Sequence, residues 1–401
     1  MQDLNIQPLV SAYHRKLSDV SLTFKRYLYH QINWDVRMIG IKGERGVGKT
    51  TLVLQHIRET FHHPDDALYV SLDNLWFSNH SPVELADYLY AHGIMYLFLD
   101  EVHRYPGWSL LLKNLYDNYP KLNIVYTGSS ILEIDNSRVD LSRRQTLYTL
   151  NGLSFREYLE FENLFTTESF NLNELLENHI RLAMDITAKV KVLKYFGDYL
   201  KFGFYPFYKE VGPDYAIRLQ EIQKQIIECD LPASEKVTFE TMQKMKKLMM
   251  IIAESLPFVP NVSHLCQSLT CTRDSCLKML YTLDRSRSLH LLTSELKNYK
   301  KLASPDKVFL GNTNIMYALS CNNALGTIRE TFFANQVGAI YPLQCPKVGD
   351  FLVDGQYLFE VGGANKSFNQ IKDTRNSFLA VDENEIGYGA RIPLWMFGFL
   401  Y

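Results

Sequence analysis

The sequence predicts an α/β chain whose first part is a parallel sheet flanked by helices. Three observations carry that prediction. Short apolar runs alternate with stretches of helical period between Met38 and Tyr126, the order that builds βαβ units. The first run ends at Gly43-Glu44-Arg45-Gly46-Val47-Gly48-Lys49-Thr50, which fits GxxxxGK[ST] and opens a helix. A later run, Met95–Leu99, ends in the acid pair Asp100-Glu101.

Taken in order, His14–Trp34 reads as an amphipathic helix with Leu17, Val20, Phe24, Leu28 and Ile32 on one face. Met38–Ile41 is a strand and Thr50–Phe61 a helix. Ala67–Leu72 (strand), Val83–His92 (helix), Ile94–Leu99 (strand), Trp108–Tyr119 (helix) and Leu122–Tyr126 (strand) follow. Gln145–Leu150 adds a strand and Phe155–Glu162 a helix. Thr166–Glu235 reads as helical, broken at Gly203, Pro206, Gly212 and Pro213. Glu240–Glu254 is a second helical block, and Val262–Leu292 gives two short helices with a strand-like end. Ile340–Tyr401 carries period-2 strands around one helix. No internal repeat or low-complexity segment is present.

The chain has 401 residues, 46% of them apolar, enough for two to four domains at roughly 100–200 residues each. Charged residues make up 21% and aromatics 13%, which excludes a disordered chain. The net charge of −2 leaves any nucleic-acid contact to a local patch. No apolar run reaches the roughly 18 residues of a membrane span; the longest lies around Ile392–Tyr401. Met1–Ser11 has no basic start followed by an apolar stretch. Six cysteines without a CxxC pair fit a reducing compartment, so a cytoplasmic location is expected.

In the Gly43–Thr50 motif the glycines let successive N–H groups face an anion, and the helix N-terminus adds positive potential. Gly43, Gly46, Val47, Gly48, Lys49, Thr50 and Thr51 are the expected ATP-binding residues. Lys49 would neutralise the β- and γ-phosphates, and the Thr50 hydroxyl would bind Mg²⁺. Asp100 ends a buried parallel strand, where carboxylates point into the ligand crevice, and would hold the same Mg²⁺. Glu101 is placed to act as general base for the attacking water. An acidic strand cap is the alternative for this pair. Ser129, with Thr127 second, would sense the γ-phosphate; helix capping is the competing role. Arg143-Arg144 read either as solvated surface or, with Arg144 favoured, as an arginine that reaches a γ-phosphate.

The run from the phosphate loop through LFLDEVHRYPGW, YTGSS, SRRQTLYTLNGLSFREYL and FGFYP resembles the prokaryotic AAA-type ATPases of the additional-strand, catalytic-glutamate P-loop class that carry a C-terminal domain of unknown function. The resemblance covers nearly the whole chain. It implies a P-loop NTPase core, a helical and winged-helix segment, and a small α/β restriction-nuclease-like domain. In that family an arginine precedes the strand before the LSFREYL helix, and Arg144 falls on that position. The expected divisions are a helical lead over 1–36, the ATPase domain over 37–165, a helical lid or linker over 166–235, a winged-helix-like domain over 236–305 and the nuclease-like domain over 306–401.

Asn261–Leu269 and Arg273–Arg285 have the spacing of a helix-turn-helix, with Thr272 as N-cap and Ser288–Leu292 starting the wing. Asn261–Lys301 holds seven positive and three negative residues, including Lys297, Lys300 and Lys301 against Glu295. DNA contact and protein contact stay open, because Asp274 near the start of the second helix opposes phosphate. Cys266, Cys271 and Cys276 suggest a metal site, but five-residue steps diverge on a helix and the turn separates the thiols, so core cysteines are expected.

Val348–Val361 reads as a hairpin turning at Asp354-Gly355. Asp350 and Glu360 resemble the two acids of a PD-(D/E)XK nuclease core, with Glu330 as the helix acid. The lysine that pattern requires is replaced by Gly362, and Lys366 is the candidate substitute. A two-residue turn would put Asp350 and Glu360 on opposite faces; a three-residue loop restores a common face. Three functions follow: an Mg²⁺-dependent ATPase that moves its C-terminal domains, with DNA as one partner; a slow ATP-dependent switch that presents a surface to a protein partner; and an ATP-gated DNA nuclease.

Overall fold

The computed structural model describes residues 4–129, 141–234, 237–254, 260–294, 303–320 and 324–401. Two compact units divide the chain, Met1–Asn151 and Gly152–Tyr401.

The first unit opens with α1 (Gln7–Asp19), whose buried face is Leu9, Tyr13 and Leu17. Of the helix expected over His14–Trp34, only His14–Asp19 is α-helical, as the end of α1. Pro8 starts α1 in its first turn, where a missing N–H is harmless, and Val20 ends it with an extended backbone. Val20, Leu28 and Ile32 are nevertheless buried. Their spacing records an irregular segment lying on the core rather than a helical period.

Then come β1 (Met38–Lys42), α2 (Lys49–Thr60), β2 (Leu68–Ser71), α3 (Pro82–Ala91), β3 (Tyr96–Asp100), α4 (Trp108–Asn118), β4 (Asn123–Gly128) and β5 (Thr146–Thr149). A reciprocal capping box between Ser81 and Glu84 fixes the start of α3. The strand order is β2-β3-β4-β1-β5, and every pairing is parallel. Burial on both faces of such a sheet explains the apolar runs within β1, β3 and β4. The chain leaves β1 for the β2 edge and returns strand by strand to β4, beside β1. That switch point opens a crevice at the C-terminal strand ends. Strands β3 and β4 run further toward the C-terminus than their apolar cores suggest, so Asp100 and Thr127 lie within them.

The second unit contains α5 (Phe155–Phe161), α6 (Leu172–Thr187), α7 (Val192–Phe202), α8 (Tyr215–Gln225), α9 (Phe239–Glu254), α10 (Val262–Leu269) and α11 (Arg273–Arg285). An antiparallel pair follows, β6 (Leu289–Leu292) with β7 (Lys307–Leu310), in the register Leu289↔Leu310. The chain continues through α12 (Thr313–Leu319), α13 (Leu325–Gly338), β8 (Leu343–Gln344), β9 (Phe351–Val353), β10 (Tyr357–Gly362), β11 (Ser377–Val381) and β12 (Arg391–Pro393). These last strands form a mixed sheet in the order β12-β11-β10-β9-β8. Phe333 on α13 packs on its face, with ring centroids 4.9 Å from Phe351, 5.1 Å from Phe359 and 4.8 Å from Phe397.

The α-helix expected within Ile340–Tyr401 is absent among the described residues. Turns join β10 to β11 instead. Gly362, Gly363, Asn365, Asn369 and Asn376 make that segment a turn former, and Asn376 has φ +56°. Among the described residues no helix is long and apolar enough to cross a membrane.

Candidate active site

Between Lys42 and Lys49 the chain must reverse before α2 begins. Gly46 (φ +84°) and Gly48 (φ +95°) take the left-handed backbone that the reversal needs. A Cβ on Gly43 would lie 2.3 Å from the Leu150 carbonyl oxygen, so no larger residue fits there. The amides of Lys49, Thr50 and Thr51 stand in the first turn of α2, without intrahelical acceptors, where the helix dipole favours an anion. The Thr51 side chain is exposed. Val47 is fully buried, and its carbonyl accepts from the Arg26 guanidinium. The same guanidinium donates to the Asn151 carbonyl at 2.8 Å.

Lys49 Nζ is buried in the loop and donates to the carbonyls of Gly43 (2.9 Å) and Glu44 (2.8 Å). Burial pushes its amine below the usual lysine range, against the pull of Glu101 and Asp100.

Asp100 is a buried carboxylate held by hydroxyls. Thr50 Oγ1 donates to its Oδ2 at 2.7 Å, and the Tyr69 hydroxyl donates to the same oxygen at 2.6 Å. The Thr127 hydroxyl donates to Oδ1. Burial and the adjacent Asp100 push the Tyr69 phenol far up, so it remains a donor. A hydroxyl and a carboxylate in contact beside a phosphate cradle are the hard oxygen donors that Mg²⁺ requires, and the residues fit that ion.

Glu101 follows β3 with φ +53°, a conformation that costs a non-glycine residue energy and marks a constrained position. Ser129 Oγ donates to its carboxylate at 2.9 and 3.2 Å. Arg45 Nη2 lies 4.0 Å away, and His103 Nε2 lies 3.4 Å away without hydrogen-bond geometry. Burial pushes the Glu101 carboxyl up, opposed by Lys49, Ser129 and Arg45. Burial and Arg104 push His103 down to about 3, so it faces Glu101 as neutral imidazole. The structure therefore brings Lys49, Thr50, Thr127, Ser129 and both acids to one edge of the sheet.

Arg144 lies elsewhere. It precedes β5, whose Thr146 is level with Ile39 near the start of β1, whereas the cradle follows the end of β1. Its Nε and Nη2 each donate to Asp117 in the last turn of α4 at 2.9 Å. A strand's length, about 13 Å at roughly 3.3 Å per residue, separates it from its own cradle.

Sequence reasoning missed four residues here. Arg45 and His103 lay inside the two recognised motifs, and that proximity was the available signal. Tyr69, on an apolar strand, and Arg26, in a misread helix, gave none.

In the second unit the hairpin has the three-residue loop Asp354-Gly355-Gln356, between Val353 and Tyr357, with φ +52° and +67° at its first two positions. Phe351 pairs with Phe359, and continuing that register sets Asp350 level with Glu360. Asp350 Oδ2 accepts from the Val361 amide at 2.9 Å, and Lys366 Nζ reaches Glu360 at 2.9 Å. Lys307 Nζ, unforeseen in the sequence, joins Asp350 (2.8 Å) to Glu330 (3.0 Å). Burial opposes its charge, but Glu330 and Asp350 hold the ammonium above its usual range. Glu360 is buried, and its Oε2 has no hydrogen-bond partner among the described residues. On α11, Arg273, Lys278 and Arg285 are exposed beside Asp274; Glu295, Lys297, Lys300 and Lys301 lie outside the described residues.

Residues 35–159 match the family described as an AAA domain, which together with the cradle and acid pair supports an AAA-type ATPase core. Over 287 residues the chain is 28% identical to an uncharacterized protein of Methanocaldococcus jannaschii, covering 68% of this chain and 60% of that protein; it thus spans less than two thirds of the relative's length. A Walker-type ATPase of Pyrococcus abyssi overlaps 77% of this chain and 94% of its own at 13% identity, with a TM-score of 0.38. AMPPCP-bound DnaA from Aquifex aeolicus overlaps 70% and 89% at 13% identity, with a TM-score of 0.28.

Proposed function

We propose that the chain is an Mg²⁺-dependent ATPase whose nucleotide state moves the second unit, with DNA as the partner acted on. The observation that carries the reading is the 2.7 Å contact between Thr50 and Asp100, made beside the Lys49 loop and next to Glu101. Amides of Gly46–Thr51 and the Lys49 ammonium hold the β- and γ-phosphates, and Lys49 exchanges its loop carbonyls for phosphate oxygens. Thr50 and Asp100 hold Mg²⁺, which neutralises charge on the phosphates when bound. Glu101 accepts a proton from water as the water oxygen bonds to the γ-phosphorus. The bond from that phosphorus to the bridging oxygen breaks, and ADP and phosphate leave. Ser129 holds the Glu101 carboxylate in place. Arg144, at the far edge of the sheet, serves a neighbouring copy's γ-phosphate rather than its own.

The output runs through Arg26. Its guanidinium links Val47 in the cradle to Asn151, the last residue of the first unit, so a change in the loop pulls on the chain that leads to the second. In the second unit α9, α10, α11 and the β6–β7 pair read as a winged helix, with exposed Arg273, Lys278 and Arg285 toward phosphate. Phosphate release from ATP, measured with and without duplex DNA, tests this. Stimulation supports a DNA-acting machine; slow turnover indifferent to DNA supports a switch for a protein partner.

One observation favours a second activity. The unpartnered Glu360 Oε2, with Asp350 level across the hairpin, is a position a divalent cation would complete, and Lys366 would then orient water. Lys307 between Glu330 and Asp350 competes for that role as a built-in cation. Plasmid nicking that Asp350→Ala abolishes would establish the nuclease; equal nicking by both proteins would remove it.

A further inference from the structure

Helix α10 ends at Thr270, which is left-handed at φ +48°. The Thr270 amide donates to the Gln267 carbonyl at 3.2 Å and the Cys271 amide to the Cys266 carbonyl at 3.0 Å. These are the paired bonds of a Schellman turn, which folds Cys271 back against Cys266. Helix α11 then begins, with the Thr272 hydroxyl accepting from the Ser275 amide at 3.3 Å. Cys271 directly precedes that cap and Cys276 lies four residues beyond it, the pair that meets in a hydrophobic staple. Because Cys271 belongs to both contacts, three sulfurs converge. Their Sγ atoms all lie within 4.8 Å of one another, with Cys276 buried and the other two half-buried. Cys276 is a core residue as expected, but the thiols do not diverge, since the turn reverses the chain between them.

Leucine or valine would serve both apolar contacts with more buried area. What three cysteines add is ligation. Metal–sulfur bonds of ~2.3 Å set sulfur atoms about 4 Å apart around one ion, a small adjustment from the observed spacing. Among the described residues no histidine or carboxylate ligand atom joins the group. Three soft donors without a fourth suit a thiophilic cation better than Mg²⁺, Ca²⁺ or a closed structural zinc. Lys244 Nζ donates to the Thr270 carbonyl at 2.9 Å and Lys247 Nζ to the Ser268 carbonyl at 2.6 Å. Positive charge therefore stands beside a site that turns anionic when its thiols ligate.

We infer that Cys266, Cys271 and Cys276 form a three-thiolate site for a soft cation of the copper(I) class, which clamps α10 to α11. The thiol protons leave to solvent as the metal–sulfur bonds form. The ligands come from α10, the turn and α11, so occupancy fixes the angle between the two helices. On the winged-helix reading above, it also fixes how Arg273 and Lys278 are presented.

The test is a titration of the reduced full-length chain with copper(I) against a coloured copper(I) chelator, without oxygen. One copper per chain with a sulfur-only shell in X-ray absorption is expected. Cys266→Ser and Cys271→Ser, both at half-buried positions, lose it, while Cys229→Ser, at an exposed position, keeps it. Copper raises the melting temperature of the wild type and not of Cys271→Ser. No uptake against the chelator, uptake unchanged in Cys271→Ser, or a zinc complex with a fourth protein ligand held more tightly than copper would each overturn the inference. Phosphate release from ATP, read on the same samples, keeps this outcome separate from that of the nucleotide site.

Discussion

Thr50 and Asp100, 50 positions apart in sequence, meet at 2.7 Å between the first turn of α2 and the end of β3. The parallel sheet makes the contact. It brings every strand's C-terminal end to one edge, so the residue after a glycine-loop lysine and the last residue of a buried strand arrive together. Further Asp100 contacts, from the Tyr69 and Thr127 hydroxyls and the Glu101 amide (3.1 Å), hold the carboxylate in one orientation.

Glu101→Gln retains ATP binding and loses turnover. General-base catalysis contributes at least about 100-fold, so phosphate release should fall by that factor or more while fluorescent nucleotide binds as before. Wild-type turnover would reassign the base.

Ser129→Ala removes the only hydroxyl found on the Glu101 carboxylate among the described residues. Turnover should drop by about tenfold, as expected for a residue that positions the base, with ATP affinity unchanged. A drop in affinity instead would place Ser129 on the phosphate rather than on Glu101. Ser129→Thr, which keeps the hydroxyl, should restore much of the rate.

Arg144→Ala should leave ATP binding intact. If Arg144 serves a neighbouring copy, turnover per chain rises with protein concentration in the wild type and stays flat in the variant. A variant as active as the wild type at every concentration would confine Arg144 to its ion pair with Asp117.

Asp284 in the second unit gives a pH test of stability. Burial pushes its carboxyl up to about 6, although it accepts from the Leu291 amide at 2.8 Å and faces Arg287 and Arg285. The unfolded carboxyl titrates near ~3.9, so the folded chain keeps a proton that the unfolded chain gives up between those values. Stability therefore falls as pH rises through that window. Asp284→Asn keeps the acceptor without the charge. At pH 7 it should be more stable by on the order of 1–2 kcal/mol, since solvent reaches part of the side chain, with the gain gone below about pH 4. Urea midpoints at the two pH values read this directly.

The cradle and the acid pair were legible because their chemistry is local. Gly43–Thr50 and Asp100-Glu101 each carry their meaning in adjacent residues, and the alternation of strands and helices supplies the rest. Contacts set by tertiary register were not. Lys307 looks like any strand-start lysine until β7 places it between Glu330 and Asp350. The faces of Asp350 and Glu360 depended on one residue of loop length, which composition did not decide. The three cysteines look scattered in sequence because a turn stands between them, and only its Schellman geometry shows that it folds Cys271 back toward Cys266. The segment after Asp19 misled for a related reason: burial against a core imposes apolar spacing on irregular chain as well as on helices.

Calorimetric titration of the wild type and Lys49→Ala with magnesium–ATP tests the nucleotide site most directly. One molecule of ATP per chain bound by the wild type, and none by the variant at the same concentrations, is the predicted result. A wild type that takes up no nucleotide, or a variant that binds as tightly, would contradict the account.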